Sequence, residues 1–331
     1  GILRTIVEPD HFKKIQILHS DYLKKAKILI GNVKLITPKY VFVNTGNHRF
    51  SIPKNSKEFS GKQKIKYDYL AICSGSKYSS PIKEQNLVMA TRANHLVDSY
   101  KKLCKSKKVL IIGGGLVGVE LSAEIATHYN DKDITIVHAK DKLIERNHNK
   151  AIEHAEKFLK NKGVKIIYKE RIVRYLGNTF ISNKGNRFNV DIAFFCTGIK
   201  TNYEFMKKHF SGKLNKSNQI IVNEFLQIEG YDNIFASGDI TDRIEEKPAQ
   251  NAQRQAKAVV KNLKAIETNG KLIKYKSKKT PLVISLGKFN GIFSLKNFVL
   301  KGFIPAFLKF FIEKNEMWKL KSASFFSRLF Q

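Results

Sequence analysis

Three glycines carry the first chemistry in this sequence. Gly113, Gly115 and Gly118 form G-x-G-x-x-G directly after the apolar run Val109–Ile112 and at the head of a helical pattern from Leu116 to about Tyr129. A second apolar run, Ile134–Val137, follows. The motif therefore has the strand–turn–helix–strand setting that a dinucleotide site requires. The first glycine permits the tight turn, the second lets backbone approach a pyrophosphate, and the third lets the helix pack closely on the strand. The helix start then offers free N–H groups and a partial positive charge to the phosphates.

The residue about 20 places beyond the glycines bears on the choice of nucleotide, because an acid there binds the ribose 2′-hydroxyl of NAD. Here that position is His138, followed by Ala139, Lys140, Asp141 and Lys142. The missing acid and the nearby cations predict that NADPH is accepted as well as NADH. The alternative is that His138 only closes a strand and Lys140 is solvated.

A second group of residues lies further along. Ile234-Phe235-Ala236-Ser237-Gly238-Asp239 reads as a short apolar strand ending in Gly-Asp. A carboxylate at a strand end can accept a hydrogen bond from a sugar alcohol. Lys247-Pro248-Ala249 opens a helix running to about Glu267, with the proline suited to a helix start by its fixed φ and missing N–H. Such a helix start can stabilise negative charge on a flavin ring. Two further strands, within Asp68–Gly75 and Asp191–Gly198, end in Ser-Gly and Thr-Gly.

These segments, in this order, resemble the two-dinucleotide-fold flavoprotein reductases. The closer resemblance, carried by GGGLVGVELSAEI, FFCTGIKTN, IFASGDIT and MWKLKSA, is to the ferroptosis-suppressor and apoptosis-inducing-factor-like flavoproteins. It implies an α/β protein with two Rossmann-like dinucleotide-binding domains, the FAD domain discontinuous and the NAD(P) domain inserted into it. It implies FAD and NADH or NADPH as cofactors and a quinone-type electron acceptor. By the same resemblance, Asp239 holds the ribityl chain of FAD, Arg4 touches the flavin nucleotide, the backbone of Val33 meets its adenine, and Glu120 lies beside the nicotinamide. One departure is plain: the family carries its own G-x-G-x-x-G for the FAD pyrophosphate ahead of the position of Arg4, and no such motif precedes residue 113 here. The chain is then a fragment or a paralogue that has lost its flavin site, and its start at Gly1 rather than Met favours the fragment.

Around these motifs, residues 1–105 read as the first FAD-binding segment without its initial βαβ unit. Residues 106–185 read as the NAD(P) domain, 186–270 as the second FAD segment, and 271–331 as an interface or membrane-associating tail. KILIGNVKLI and YVFVN pair as a meander, with a polar loop from about Asn44 to Lys66. A helix from about Asn147 to Asn161 ends at Gly163, VKIIY is the next strand, and NTFIS and NRFNV flank a turn at 183–186.

In the tail, Phe303, Ile304, Phe307, Leu308, Phe311 and Ile312 share one helical face, with Lys309 and Glu313 opposite. Phe325, Phe326, Leu329 and Phe330 form a second cluster with Arg328. Such a helix lies in a membrane interface, packs on a core, or meets a partner in a homodimer.

The net charge of +32 gives a basic surface suited to an anionic membrane. Nucleic acid is the less favoured partner, because Lys is spread along the chain without a compact basic arm. No uncharged apolar run reaches 18 residues, which argues against a spanning helix. The three cysteines, Cys73, Cys104 and Cys196, form no C-x-x-C, which argues against a dithiol relay and for reduced thiols. The nine histidines have no metal spacing. The expectation is an FAD-dependent NAD(P)H:quinone oxidoreductase at the cytoplasmic side of a membrane or associated with a mitochondrion. The competing reading is a catalytically impaired fragment or paralogue that binds DNA or membrane through its charge.

Overall fold

The structure, a computed structural model, describes residues 2–23, 25–45, 61–77 and 89–329. The chain divides into two compact units. One is built from Gly1–Lys24, Tyr78–Gly198 and Pro281–Gln331, the other from Lys25–Lys77 and Ile199–Thr280.

The first unit is built on the strand–turn–helix pattern. β1 (Lys108–Ile112) leads through the glycines into α1 (Leu116–His128), then β2 (Asp133–Val137), α2 (Asn149–Asn161) and β3 (Lys165–Ile167). β4 (Ile192–Phe195) returns to pair beside β1. The sheet order is β4-β1-β2-β3, all parallel, with Ile112 opposite both Phe195 and Val137. Val109–Ile112 are buried on both faces, which is why they form a continuous apolar run rather than an alternating one. A sheet that grows outward in both directions from β1 has its crevice beyond the carboxyl ends of β1 and β4, where α/β sheets bind ligands.

α1 covers one face, with Val119, Leu121, Ala123 and Ile125 fully buried against Ile111, Ile134 and Ile136. Burial of such side chains is worth about 1.5–3 kcal/mol each. An antiparallel meander of Ile172–Leu176, Thr179–Ser182 and Arg187–Asn189 lies beyond β3, its middle and last strands joined by the expected turn.

The end of the chain joins this same unit. β5 (Leu282–Ser285), β6 (Gly291–Leu295) and β7 (Phe298–Gly302) form an antiparallel sheet. Ile284, Leu286 and Ile292 enter the nucleotide unit's core together with Leu3, Ile6 and Val7 from the chain's start. α3 (Phe303–Leu329) follows as one helix.

In the second unit, Asn32–Ile36, Tyr40–Asn44 and Lys62–Lys66 form a meander. The strand Leu70–Ile72 pairs in parallel with Ile234–Ala236. The helix Ala249–Glu267 buries Ala258 and Val259 in a separate core with Ile72, Phe235, Ile220 and Ile228.

Three expectations change. The boundary between the units falls at Gly198 rather than 185, because β4 completes the nucleotide sheet. Residues 1–24 and 281–331 pack with the nucleotide unit rather than forming FAD-domain and tail segments of their own, because their apolar residues share its core. Lys62–Lys66 is a strand, not loop: it pairs register for register with Tyr40–Asn44. The remainder of that expected loop, 46–60, lies outside the described residues.

Candidate functional site

Each glycine of the motif has a distinct reason to be glycine. Gly113 sits at φ +112°, and a Cβ there would lie 2.7 Å from the carbonyl oxygen of Cys196 at the end of β4. A Cβ on Gly118 would lie 1.9 Å from the Gly113 carbonyl oxygen, so only glycine lets α1 start this close to β1. A Cβ on Gly115 would meet nothing within 4 Å. Gly115 is the N-cap of α1, its backbone extended, with no side-chain cap and no acid in the first turn. The structure thus leaves open space in front of an uncapped helix start, which is where an anionic pyrophosphate fits.

Hydrogen bonds hold this loop in place. The Gly113 amide donates to Val137 O at 2.9 Å, and the Gly114 carbonyl accepts from the Ile144 amide at 2.9 Å. The Gly114 amide donates to Nδ1 of His138 at 3.0 Å. His138 stands just beyond β2, as its spacing requires, and it supports the loop. Burial pushes its imidazole below the ordinary value, against the pull of the Glu145 carboxylate, which keeps Nδ1 free of a proton and able to accept. Lys140 is exposed, 4.0 Å from Glu145.

One turn further on, α1 presents Glu120 and Glu124 on one face, four residues apart. Glu120 Oε1 accepts the Ser285 amide at 2.8 Å and pairs with the ammonium of Lys309 from α3. Glu124 is 7% exposed. Its Oε1 meets Arg4 at 3.5 Å and the Ser285 hydroxyl at 3.3 Å. Arg4, in the 3₁₀ turn Ile2–Ile6, is thus brought to the helix that carries Glu120. A cavity of about 580 Å³ opens here, lined by the polar side chains of Arg4, Glu120 and Lys309 and by the apolar ones of Val117 and of Phe303, Phe307 and Phe310 of α3.

α3 turns its charged face inward and its aromatic face outward, a choice the sequence left open. Lys309 and Glu313 are half-buried, and Glu313 Oε1 lies 3.2 Å from Nε2 of the buried His11. Phe303, Ile304, Phe307 and Phe311 face outward, each 57–63% exposed. The Lys309–Glu120 ion pair and the Glu313–His11 contact hold the polar side inward, so the aromatic row is left outside. The side chains of Phe325, Phe326, Arg328, Leu329 and Phe330 lie outside the described residues.

The second unit holds the remaining expected residues. Asp239 follows the strand Ile234–Ala236, and its Oδ2 accepts from the Ser76 hydroxyl at 2.5 Å. The loop carrying it is held by Gln255, 1% exposed, whose Oε1 accepts the Gly238 amide at 2.7 Å. Gln255 Nε2 in turn donates to Glu245 at 2.6 Å, and the Tyr275 hydroxyl donates to the same carboxylate at 2.9 Å. Burial lowers the pKa of Lys247, opposed by Asp239, Glu245 and Asp242.

Pro248 is the N-cap of the helix opening at Ala249, with no side-chain cap. The carboxylate and the uncapped helix start fit the sugar and ring portions of a flavin nucleotide. A glycine-rich pyrophosphate turn for it does not occur in the sequence. Val33 lies in Asn32–Ile36, opposite Val43 and 42% exposed.

All three cysteines are free thiols. Cys196 is buried, and burial pushes its thiol up to about 12, so it supplies no thiolate near neutral pH.

The fold and the glycine turn define an α/β nucleotide-binding protein of the two-unit type. Residues 5–256 match the pyridine nucleotide-disulphide oxidoreductase family, and the chain belongs to that family. Apoptosis-inducing factor homolog B of Dictyostelium discoideum is 32% identical over 321 residues, 88% of this chain and 79% of that protein. Ferroptosis suppressor protein 1 of Taeniopygia guttata is 32% identical over 244 residues, 70% of this chain and 65% of that protein. The sulfide:quinone oxidoreductase of Aquifex aeolicus shares the fold at TM-score 0.77 and 18% identity, covering 98% of this chain and 83% of that one. Members of the family are oxidoreductases that bind FAD and NADH or NADPH.

Proposed function

We propose that the chain carries the donor side of an FAD-dependent NAD(P)H:quinone oxidoreductase. The observation that carries this reading is the open, uncapped α1 start at Gly115, one turn from a cavity that joins a carboxylate, Glu120, to a wall of phenylalanines. Gly113, Gly115 and Gly118 bind the pyrophosphate of the donor, and His138 holds their loop. Glu120 has one carboxylate oxygen engaged by Ser285 and Lys309, and the other receives the amide hydrogens of the nicotinamide. Arg4 balances the charge of Glu124 beside it. Asp239 accepts from the ribityl hydroxyls of FAD, and the Pro248–Ala249 helix start favours negative charge on its ring. FAD, when bound, supplies the relay between a two-electron donor and the acceptor.

A quinone-type acceptor suits the site because the outward aromatic row of α3 adjoins the cavity and gives a lipid-soluble molecule an apolar approach. The exposed phenylalanines together with the basic surface favour an anionic membrane as the place where this happens. The relative solved as a sulfide:quinone oxidoreductase supports quinone chemistry on this fold. The test is NAD(P)H oxidation by the purified protein supplied with FAD and a short-chain quinone. Turnover that requires both additions supports the reading. Nicotinamide-nucleotide binding without quinone-dependent turnover, in a preparation whose absorption spectrum shows bound flavin, sinks the acceptor.

A further inference from the structure

We infer that the outer edge of the strand Lys62–Lys66 is a docking site for an extended acidic peptide, which adds to the meander as an antiparallel fourth strand. The inference concerns the second unit alone and is independent of the donor site.

A strand alternates its side chains between two faces. In the pair Tyr40–Asn44 and Lys62–Lys66, one face carries Val41, Val43 and Ile65. Val41 packs against the core that holds Ile36, and Val43 is buried. The other face carries Tyr40, Phe42 and Asn44, which stand opposite Lys66, Lys64 and Lys62 in turn. All three lysines are exposed. The Lys64 ammonium lies 3.9 Å from the centre of the Tyr40 ring, which holds it down on the sheet. Among the described residues no carboxylate lies within 4.0 Å of any of the three.

The backbone makes the same division. In an antiparallel pair, residues alternate between those bonded to the neighbouring strand and those turned away from it. The Thr45 amide donates to Gly61 O at 3.1 Å, and the Tyr67 amide donates to Lys39 O at 3.2 Å. Stepping by twos between these bonds along the unbroken register, Gln63 and Ile65 also turn their backbone groups to Tyr40–Asn44. Lys62, Lys64 and Lys66 turn theirs outward, and the sheet order puts this strand at an edge. The same three residues therefore present an N–H, a C=O and an ammonium to one side.

This arrangement selects its occupant. Antiparallel pairing with the same strand of a second copy would set lysine against lysine, so like charges oppose it. A lipid surface or a nucleic acid would use the ammonium groups and leave the edge N–H and C=O groups unmatched. An added antiparallel peptide strand uses both. Its residues directly opposite the lysines lie on the same face, and these same residues make the backbone bonds. Acids at every second position repeat at about 6.6–6.8 Å, twice the rise of a strand, which is also the spacing of the lysines. Strand addition of this kind takes affinity from the main chain and specificity from alternate side chains.

The test uses the whole chain and capped seven-residue peptides that alternate Thr and Glu, with three Glu each. One is unmodified, one is N-methylated at the three Glu, and one is N-methylated at three Thr. A fourth has the same composition with the Glu residues adjacent. Binding is followed by fluorescence anisotropy at low salt. The unmodified peptide should bind. Methylation at Glu should weaken it tenfold or more, because those N–H groups face the edge, and methylation at Thr should change it less than about threefold. Grouping the Glu residues should weaken it several-fold. Replacing Lys62, Lys64 and Lys66 together by Gln should abolish binding while the melting temperature holds. The amide hydrogens of the three lysines should exchange more slowly in the complex. Absence of binding to the wild-type chain overturns the inference. So does binding indifferent to methylation at Glu or to grouping, since charge alone would then account for it. Tighter binding of oligothymidylate or of phosphatidylserine vesicles through the same lysines also overturns it and assigns the surface to phosphate groups.

Discussion

His138 accepts a hydrogen bond at Nδ1 from the amide of Gly114, 24 residues earlier in the chain, at 3.0 Å. The residue that closes β2 therefore also fixes the turn that closes β1. Where an acid would read the ribose of the nucleotide, this chain places a side chain occupied with its own glycine loop.

A pH dependence follows from that bond. Burial lowers the His138 pKa from its ordinary value of 6.5. Above about 6.5 the folded and unfolded chains are both neutral here, and the contribution to stability is fully present. As pH drops below that value the unfolded chain takes up a proton that the folded imidazole resists, and stability falls until the folded group also protonates. Melting temperatures measured from pH 8 to pH 5 should decline on the acid side in wild type. They should decline less in His138→Asn, whose Oδ1 replaces Nδ1 without titrating. His138→Phe leaves the buried Gly114 amide unpaired and should cost about 1–3 kcal/mol at every pH in that range. Identical acid limbs in wild type and His138→Asn would exclude His138 as the titrating group.

The glycines should separate folding from binding. Gly118→Ala forces a Cβ to within 1.9 Å of the Gly113 carbonyl, and α1 must move off the sheet. A loss on the order of 3 kcal/mol in denaturant unfolding is expected. Gly115→Ala places its Cβ in open space at an extended backbone position. Its stability should change by a few tenths of a kcal/mol, as alanine for glycine at an N-cap, while nucleotide affinity falls tenfold or more because the methyl occupies ligand space. A Gly115→Ala chain that binds NADPH as well as wild type would show that the nucleotide does not lie against this turn.

Much of this site was legible before the structure, and the reasons are physical. The strand β1, the glycine turn and α1 are local: steric rules act within a dozen residues, so spacing alone gives them. His138 was found by counting, though its part in holding Gly114 was not, since that needs the curl of the loop. Glu124 had a signal in its i,i+4 relation to Glu120. Ser285, Lys309 and Gln255 had none, because their contacts join segments 10 to 189 residues apart. Helical period gave the two faces of α3 correctly and could not say which one turns inward. The Lys309–Glu120 ion pair and the Glu313–His11 contact decided it against hydrophobicity. Unit boundaries were misplaced for a related reason: apolar residues at both chain ends share the nucleotide unit's core, and a core has no sequence order.

Lys140 should act in choosing the donor. It is exposed just past His138, 4.0 Å from Glu145, a pair worth little at a solvated surface. It is therefore available to a 2′-phosphate. Lys140→Ala should raise the dissociation constant of NADPH several-fold, about 1 kcal/mol, while changing that of NADH less than twofold. The effect on NADPH should fade as salt is raised, as for any solvated charge pair. Equal changes for the two nucleotides would move the discrimination elsewhere in the loop.

The outward aromatic face of α3 makes the last prediction. Phe303, Ile304, Phe307 and Phe311 are more than half exposed on α3, and a contiguous apolar row of this kind marks a surface that another phase or molecule covers. Among the described residues no helix is long and apolar enough to cross a membrane, so contact with lipid at this helix would lie in the interface plane. The chain's excess of Lys and Arg over acids adds attraction to anionic headgroups, about 1 kcal/mol for each residue near the surface. In sedimentation with phosphatidylcholine vesicles, adding phosphatidylserine should raise binding strongly, and salt should reverse part of it. Replacing Phe303, Phe307 and Phe311 together by Ser removes apolar area without touching Lys309 or Glu313, so the melting temperature should hold while vesicle binding falls tenfold or more. Binding that tracks salt alone and ignores the three substitutions would assign the membrane contact to the basic surface and leave the aromatic row to a second copy of the chain, which analytical ultracentrifugation of the same variant would reveal as a lost dimer.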